Sequence, residues 1–275
     1  MKLSFCTLVC PEWSLRRIID STKKYDYQGV DLRVGAGHRH GVSIGTGSFE
    51  RKKIKKLFKN SGIEISCVAT PFSFSQFGRD ERTTMLARLE DYTKLTADLG
   101  SANMRIFAGK IPQSQTKEDY FQYIADILLE AVQVSPIRGV HMLLETHDSV
   151  SLGRDLATVL NRAKSEYIGA IWDIAHPVVH GEPVEQTFNY LRGRIHHVHI
   201  KDFAYLGEKR TGNPYDSWEK WVPLGKGNLP ISEVMQIMKN SGFSGYFSLE
   251  EMKGDVEQAL IQSSRKLRNY WRNLS

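Results

Sequence analysis

The chain is poor in cysteine. Cys6, Cys10 and Cys67 are the only three in 275 residues. They are too few and too irregularly spaced for a disulfide framework or a Cys-rich zinc site, so a reducing, cytoplasmic setting is expected. No apolar run approaches the roughly 20 residues of a membrane-spanning helix. The opening MKLSFCTLVC carries one lysine and no small-residue cleavage signature. It reads as a first strand, not a signal peptide. No low-complexity or Pro/Ser-rich linker divides the sequence, and a single domain spanning 1–275 is expected, long enough to bury a sizeable core.

What is present is ordinary in bulk: 41% hydrophobic and 25% charged residues, with a formal net charge of +6. Much of that charge lies in ERKKIKKLFKN (Glu50 to Asn60) and RKLRNYWRN (Arg265 to Asn273). Both runs have helical spacing and read as solvated helix faces. A basic balance permits attraction for phosphate or nucleic acid without establishing it.

The informative pattern is a repeated strand-then-helix alternation. Strands are predicted at Leu3–Val9, Gly29–Val34, Ile63–Ala69, Asn103–Phe107, Val140–Glu145, Ile168–Asp173, Arg194–Ile200 and Gly245–Glu250. Helices are predicted at Ser14–Tyr25, Ser48–Ser61, Asp80–Leu99, Lys117–Val134, Leu152–Ala163, Pro183–Leu191, Ile231–Asn240 and Asp255–Trp271. Such alternation argues for a parallel sheet, and eight units in this length match a (β/α)8 TIM barrel. An open doubly wound sheet would favour a glycine-rich loop after the first strand. LVCPEWS has no glycine there.

Function in such a barrel gathers at the C-terminal ends of the strands. The last four strands end LLETHDS, IWDIAHP, HVHIKD and YFSLEE, all carrying carboxylates or histidines. Side chains alternate across a strand, so Glu145 shares a face with Leu143 and His141. His199 shares one with His197, and His196 takes the opposite face, towards the helices. Phe247 and Leu249 belong on the apolar outer face together with Glu251, which turns Glu250 inward. Glu145, Asp173, His199 and Glu250 then ring the barrel mouth. Three like charges brought together call for a cation. An oxygen-rich site with one nitrogen suits Mn2+ first, with Mg2+, Co2+ or Zn2+ as alternatives. Elsewhere, Asp31, Arg33 and Arg105 read as a buried Arg–Asp network. His38 and His40 read as loop surface. Phe72, Phe74 and Phe77, with Tyr215, Trp218 and Trp221, are candidates for an apolar wall and lid or for plain loop packing.

LLETH, WDIAH, HVHIKD, PLGKGN and GYFSLE, together with YQGVDLR and MRIF at the second and fourth strands, resemble the xylose isomerase-like superfamily of TIM barrels, most of all its sugar phosphate isomerase/epimerase branch. The resemblance covers almost the whole chain. It implies that Glu145, Asp173, His199 and Glu250 are the metal ligands, and that Glu145 and Glu250 also exchange protons with the substrate as catalytic residues. It further implies that His176 contacts a substrate oxygen. His147 and Lys201 are expected at the rim as substrate-binding residues, and Asp202 as either a substrate contact or a support for His199 and its loop.

The implied activity is that of a divalent-metal-dependent isomerase or epimerase of a sugar or sugar-like polyol ketone, working through an enediolate. A metal-dependent dehydratase (a lyase) of an inosose or dehydroshikimate-type substrate is the alternative. Apurinic-site endonucleases of the same superfamily need further zinc ligands. Here the third strand ends CVATPF, and Glu219 and Trp221 stand where Asp and His would be expected. A small carbohydrate or polyol is therefore the expected partner, neither nucleic acid nor membrane is expected, and a homo-oligomer is compatible with the sequence. GKGN offers backbone N–H groups to a phosphate but is a short signal.

Overall fold

In the computed structural model, described at residues 1–76, 78–134, 139–208, 212–250 and 254–274, the eight expected strands close into a parallel barrel. They are β1 (Lys2–Cys6), β2 (Gly29–Arg33), β3 (Glu64–Ser73), β4 (Asn103–Phe107), β5 (His141–Glu145), β6 (Ile168–Asp173), β7 (Ile195–Ile200) and β10 (Tyr246–Leu249). β10 closes the ring between β7 and β1. The expected helices follow as α1 (Leu15–Lys24), α2 (Ser48–Ser61), α3 (Arg82–Leu99), α4 (Lys117–Val134), α5 (Gly153–Arg162), α7 (Val184–Leu191), α8 (Ile231–Asn240) and α9 (Val256–Asn273). Local signals set their ends. The Ser14 hydroxyl accepts from the Arg17 N–H at 3.3 Å to start α1, and Gly62 stops α2 at φ 73°, a left-handed conformation that glycine adopts without a Cβ penalty. Too short to show a period are α6 (Ala175–Val179) and a hairpin of β8 (Ala204–Tyr205) with β9 (Trp218–Glu219).

The pleat divides the core in two. Leu3, Phe5, Val198, Ile200, Phe247 and Leu249 are buried between strands and helices. Inside the barrel, among the described residues, only Cys67, Leu143 and Ile171 form an apolar cluster. Around them the interior holds buried ionisable groups, among them Asp31, Arg105, His197 and His199. The barrel is therefore built around a polar centre, and burying so many charges is tolerable only if each is paired.

His196 departs from the simple alternation. Ala170 pairs with Ile195 while the next residue, Ile171, pairs with His197, leaving His196 as an extra residue in β7, as at a β-bulge. Its ring packs against His141, tilted by 30° at 4.5 Å, and lies over Gly169. Both neighbours have inward parity, so His196 belongs to the barrel floor and not to the helix side, which corrects the strict-parity expectation.

Two outcomes follow from this floor. A Cβ on Gly169 would stand 2.4 Å from His196 Cδ2 and 2.9 Å from the Arg194 carbonyl. Gly169→Ala is expected to lower stability by about 1–3 kcal/mol in urea unfolding. Burial first, then the charges of His141 and Arg194, push the His196 imidazole down to about 4. The unfolded chain takes up that proton near 6.5 and the folded one does not, so stability falls as pH drops from about 6.5 to about 4. His196→Phe is expected to flatten the pH dependence of the urea midpoint across that window.

Candidate metal centre and active site

Glu145 closes β5, Asp173 closes β6, His199 lies one residue before the end of β7, and Glu250 directly follows β10. Register brings them level: Asp173 pairs with His199, and His199 with Ser248. All four are buried, and one ligand atom from each lies within 4.8 Å of the others. The structure thus gathers the four residues expected at the barrel mouth.

His199 is held at both ring nitrogens. Nδ1 is 2.6 Å from Glu145 Oε1, and Nε2 is 2.9 Å from Asp31 Oδ2. Burial pushes its pKa down, but the charges of Glu250 and Glu145 and the bonds to Asp31 and Glu145 override that and hold it well above the usual value. With Nε2–H donated to Asp31, Nδ1 faces the carboxylates, where it is free to ligate once deprotonated. A carboxylate behind a ligating imidazole fixes its tautomer and raises its basicity. Asp31 itself is fully buried, with His197 Nε2 at 3.5 Å. It therefore pairs with histidines and not, as expected from sequence, with arginine.

The arginine goes elsewhere. Arg105, buried inside β4, places Nη1 2.9 Å from Glu250 Oε1 and 3.6 Å from Glu145 Oε2, with Phe107 stacked on the guanidinium at 4.4 Å. Lys201 lies deeper than the rim position expected of it. Its Nζ is 2.6 Å from Asp173 Oδ2 and 2.7 Å from Glu250 Oε2. Burial drives the Glu250 carboxyl up, but Lys201, His199 and Arg105 together hold it well below the ordinary range, hence ionised.

The donor set fits a divalent ion. Three carboxylates and one imidazole converge, and Glu145 Oε2 is buried yet accepts no hydrogen bond. Such a mostly oxygen set suits Mn2+, Mg2+ or Co2+ and also accommodates Zn2+. Glu145, Asp173, His199 and Glu250 are the residues that would hold it.

Above the centre opens a cavity of about 480 Å3, whose lining includes Arg105, Glu145, His147, His176, Lys201 and Glu250. His176 bonds the Tyr215 hydroxyl through Nδ1 and has Nε2 3.5 Å from Asp173 Oδ2. Burial, then Lys201 and His147, keep it well below the usual imidazole pKa, so it is neutral. His147 lies the other way. Burial lowers it, but the Asp148 carboxylate at 3.0 Å and the Glu145 charge raise it above the usual value.

Asp202 does not face this cavity. Its carboxylate accepts from the backbone N–H of Phe203, Gly225, Gly227 and Leu229, at 2.9, 2.7, 2.9 and 3.3 Å. Of the two roles expected for it, the geometry shows the supporting one: its carboxylate pins the loop after β7 and is not among the groups lining this cavity. The same bonds occupy the two glycine amides of GKGN that were candidates for phosphate. A Cβ at Gly227 would meet Asp202 Oδ1 at 2.2 Å, so only glycine fits there. Among the aromatic residues, Tyr215 and Trp221 line the cavity. Phe72 and Phe74 are buried edge-to-face at 5.2 Å, Trp218 packs on Tyr205 in the hairpin, and Phe77 and Glu251 lie outside the described residues.

Asp31→Asn is expected to weaken Mn2+ binding by about 10–100-fold, as for other carboxylates behind a ligating histidine. Titration calorimetry checks this directly, and an affinity equal to that of the parent would remove Asp31 from the centre's support.

Comparison with known proteins shows the family of the chain. The chain is 25% identical to fructoselysine 3-epimerase of Escherichia coli O157:H7, over 82% of this chain and 80% of that protein. Two crystal structures share the fold. The IolI protein, solved with a bound zinc atom, aligns with a TM-score of 0.82 at 16% identity over 100% of this chain and 99% of its own. The probable 3-DHS dehydratase AsbF of Bacillus anthracis aligns at 0.77 and 19% identity, over 98% and 99%. Over residues 19–270 the sequence matches the xylose isomerase-like TIM barrel family, and the chain belongs to that family.

Proposed function

We propose that the protein is a divalent-metal-dependent isomerase or epimerase of a sugar or sugar-like polyol ketone. The observation that carries this reading is the convergence of Glu145 and Glu250 on one buried guanidinium, that of Arg105, at the base of a cavity large enough for a monosaccharide. Two carboxylates in one small centre can remove a proton beside a carbonyl and return it, as base and acid. Return to the same carbon epimerises it, and return to its neighbour moves the carbonyl. A bound divalent ion supplies Lewis-acid polarisation of the carbonyl and adjacent hydroxyl. Arg105 and Lys201, fixed on Glu250 before substrate arrives, keep that carboxylate ionised and add positive potential where enediolate charge develops. His176, neutral and anchored by Tyr215, presents Nε2 as the group that reads a substrate oxygen. Similarity to fructoselysine 3-epimerase supports the same class.

A specific observation favours dehydration as the second reading. Lys201 is a buried ammonium among the ligands, and Asp148 helps to keep His147 protonated. Either group is an acid able to protonate a leaving β-hydroxyl. The similarity to an inosose dehydratase of Bacillus cereus, 22% identical over 48% of this chain and 47% of that protein, is consistent with it.

Incubating Mn2+-loaded protein with ketoses and inososes in D2O, followed by NMR, separates the two. Deuterium beside the carbonyl marks isomerase or epimerase chemistry, and appearance of an enone with loss of water marks the lyase. Glu250→Gln is expected to lower turnover by about 10^2–10^4-fold. Unchanged turnover in that variant would sink the proton-transfer assignment.

A further inference from the structure

The cations around the cavity fall into two groups. The deep ones are matched. Arg105 lies on Glu145 and Glu250, and Lys201 on Asp173 and Glu250. The four negative charges of the buried carboxylates Asp31, Glu145, Asp173 and Glu250 are offset in sum by these two cations and, once it is bound, a divalent ion. With His199 neutral as a ligand, the interior is then balanced.

The outer ones are not matched by acid. Arg33 ends β2 on the same inward parity as Asp31 and lines the cavity wall. The Thr7 hydroxyl fixes its backbone N–H at 2.9 Å. Its Nε is shielded from solvent yet has no hydrogen-bond partner, and no carboxylate among the described residues lies within ion-pairing distance of its guanidinium. Lys220, on the loop after β9, lines the same cavity. Its Nζ sits over the Tyr215 ring at 4.5 Å and the Trp221 ring at 5.9 Å. Those contacts hold the ammonium beside the cavity by cation–π attraction, and again no carboxylate among the described residues pairs with it. A half-buried guanidinium left without an acid is costly to a protein unless something else satisfies it.

We infer that Arg33 and Lys220 form an oxyanion subsite at the cavity mouth, and that the substrate is an acid: a polyol or cyclic ketone carrying a carboxylate or a phosphate. This deepens the proposed function and rests on its metal-centred reading of the same cavity. The guanidinium fork presents parallel donors to two oxygens of such a group. Tyr215 and Trp221 offer the carbon frame an apolar face. Anchored there, the anion sets which ring carbon hangs over Glu145 and Glu250, so the subsite selects the reacting position as well as the substrate.

The test is calorimetric binding to the Mn2+-loaded protein with paired probes: glucuronate against glucose, shikimate against methyl shikimate, and glucose 6-phosphate against glucose. At least one acid is expected to bind about tenfold or more tightly than its neutral partner, the scale of a charge-assisted bond. Whether the winning pair is a carboxylate or the phosphate identifies the source of the anion. Arg33→Met is expected to abolish that advantage while Mn2+ affinity and the neutral probe's affinity stay at parent values, and Lys220→Met to reduce it in part. No acid preferred over its neutral partner, or an advantage that survives in both variants, overturns the subsite. Failure of the parent to bind Mn2+ at all strikes the metal reading instead, and a thermal melt of each variant excludes misfolding as the cause of lost binding.

Discussion

His199 is tied at one ring nitrogen to Asp31 and at the other to Glu145, and the rest of the centre is arranged around that imidazole. Asp31 comes from β2 and Glu145 from β5, on either side of the barrel from β7, so the two bonds span its interior. They hold the ring in one orientation with Nδ1 towards the carboxylates. The barrel closes in a register that puts Asp173 level with His199. A shift of one residue in β7 would turn His199 to the helices and replace it with a neighbour of opposite parity.

This arrangement explains why the barrel interior is so polar. A barrel core is ordinarily layers of branched apolar side chains, whereas here, among the described residues, Cys67, Leu143 and Ile171 play that part. The remaining volume is filled by charged side chains whose desolvation is offset pairwise. Removing one partner of a buried pair costs about 3–5 kcal/mol, because the other charge is left stranded. Arg105 and Lys201 neutralise Glu250 and keep it ionised, the state that the proposed proton transfer requires. The stability of the barrel comes mainly from the outer layer, where Phe5, Val198, Phe247 and their neighbours pack against helices.

Much of this was legible in the sequence because strand periodicity is strict. Parity, together with position at the strand ends, points to Glu145, Asp173, His199 and Glu250 as one interior ring, since each lies at or next to the end of a regular strand. Periodicity failed where the strand itself is irregular. The extra residue at His196 has no signature in RIHHVHIKD, and only pairing with β6 reveals it. Long side chains were the second blind spot. Arg105 and Lys201 reach across the interior to carboxylates on other strands, a choice of partner that spacing along the chain does not encode. The Asp31–His199 bond, between residues 168 apart, is hidden for the same reason. Asp202 was ambiguous because its four amide donors come from the next residue and from a loop about 25 residues on.

The proposed chemistry depends on a divalent ion held by the ring of Glu145, Asp173, His199 and Glu250. Anomalous diffraction at the manganese edge from crystals grown with Mn2+ tests it most directly. One strong peak is expected, enclosed by these four side chains, with His199 presenting Nδ1 to it and Nε2 to Asp31. A peak elsewhere, or no peak with Lys201 still bridging Asp173 and Glu250 at saturating Mn2+, would contradict it.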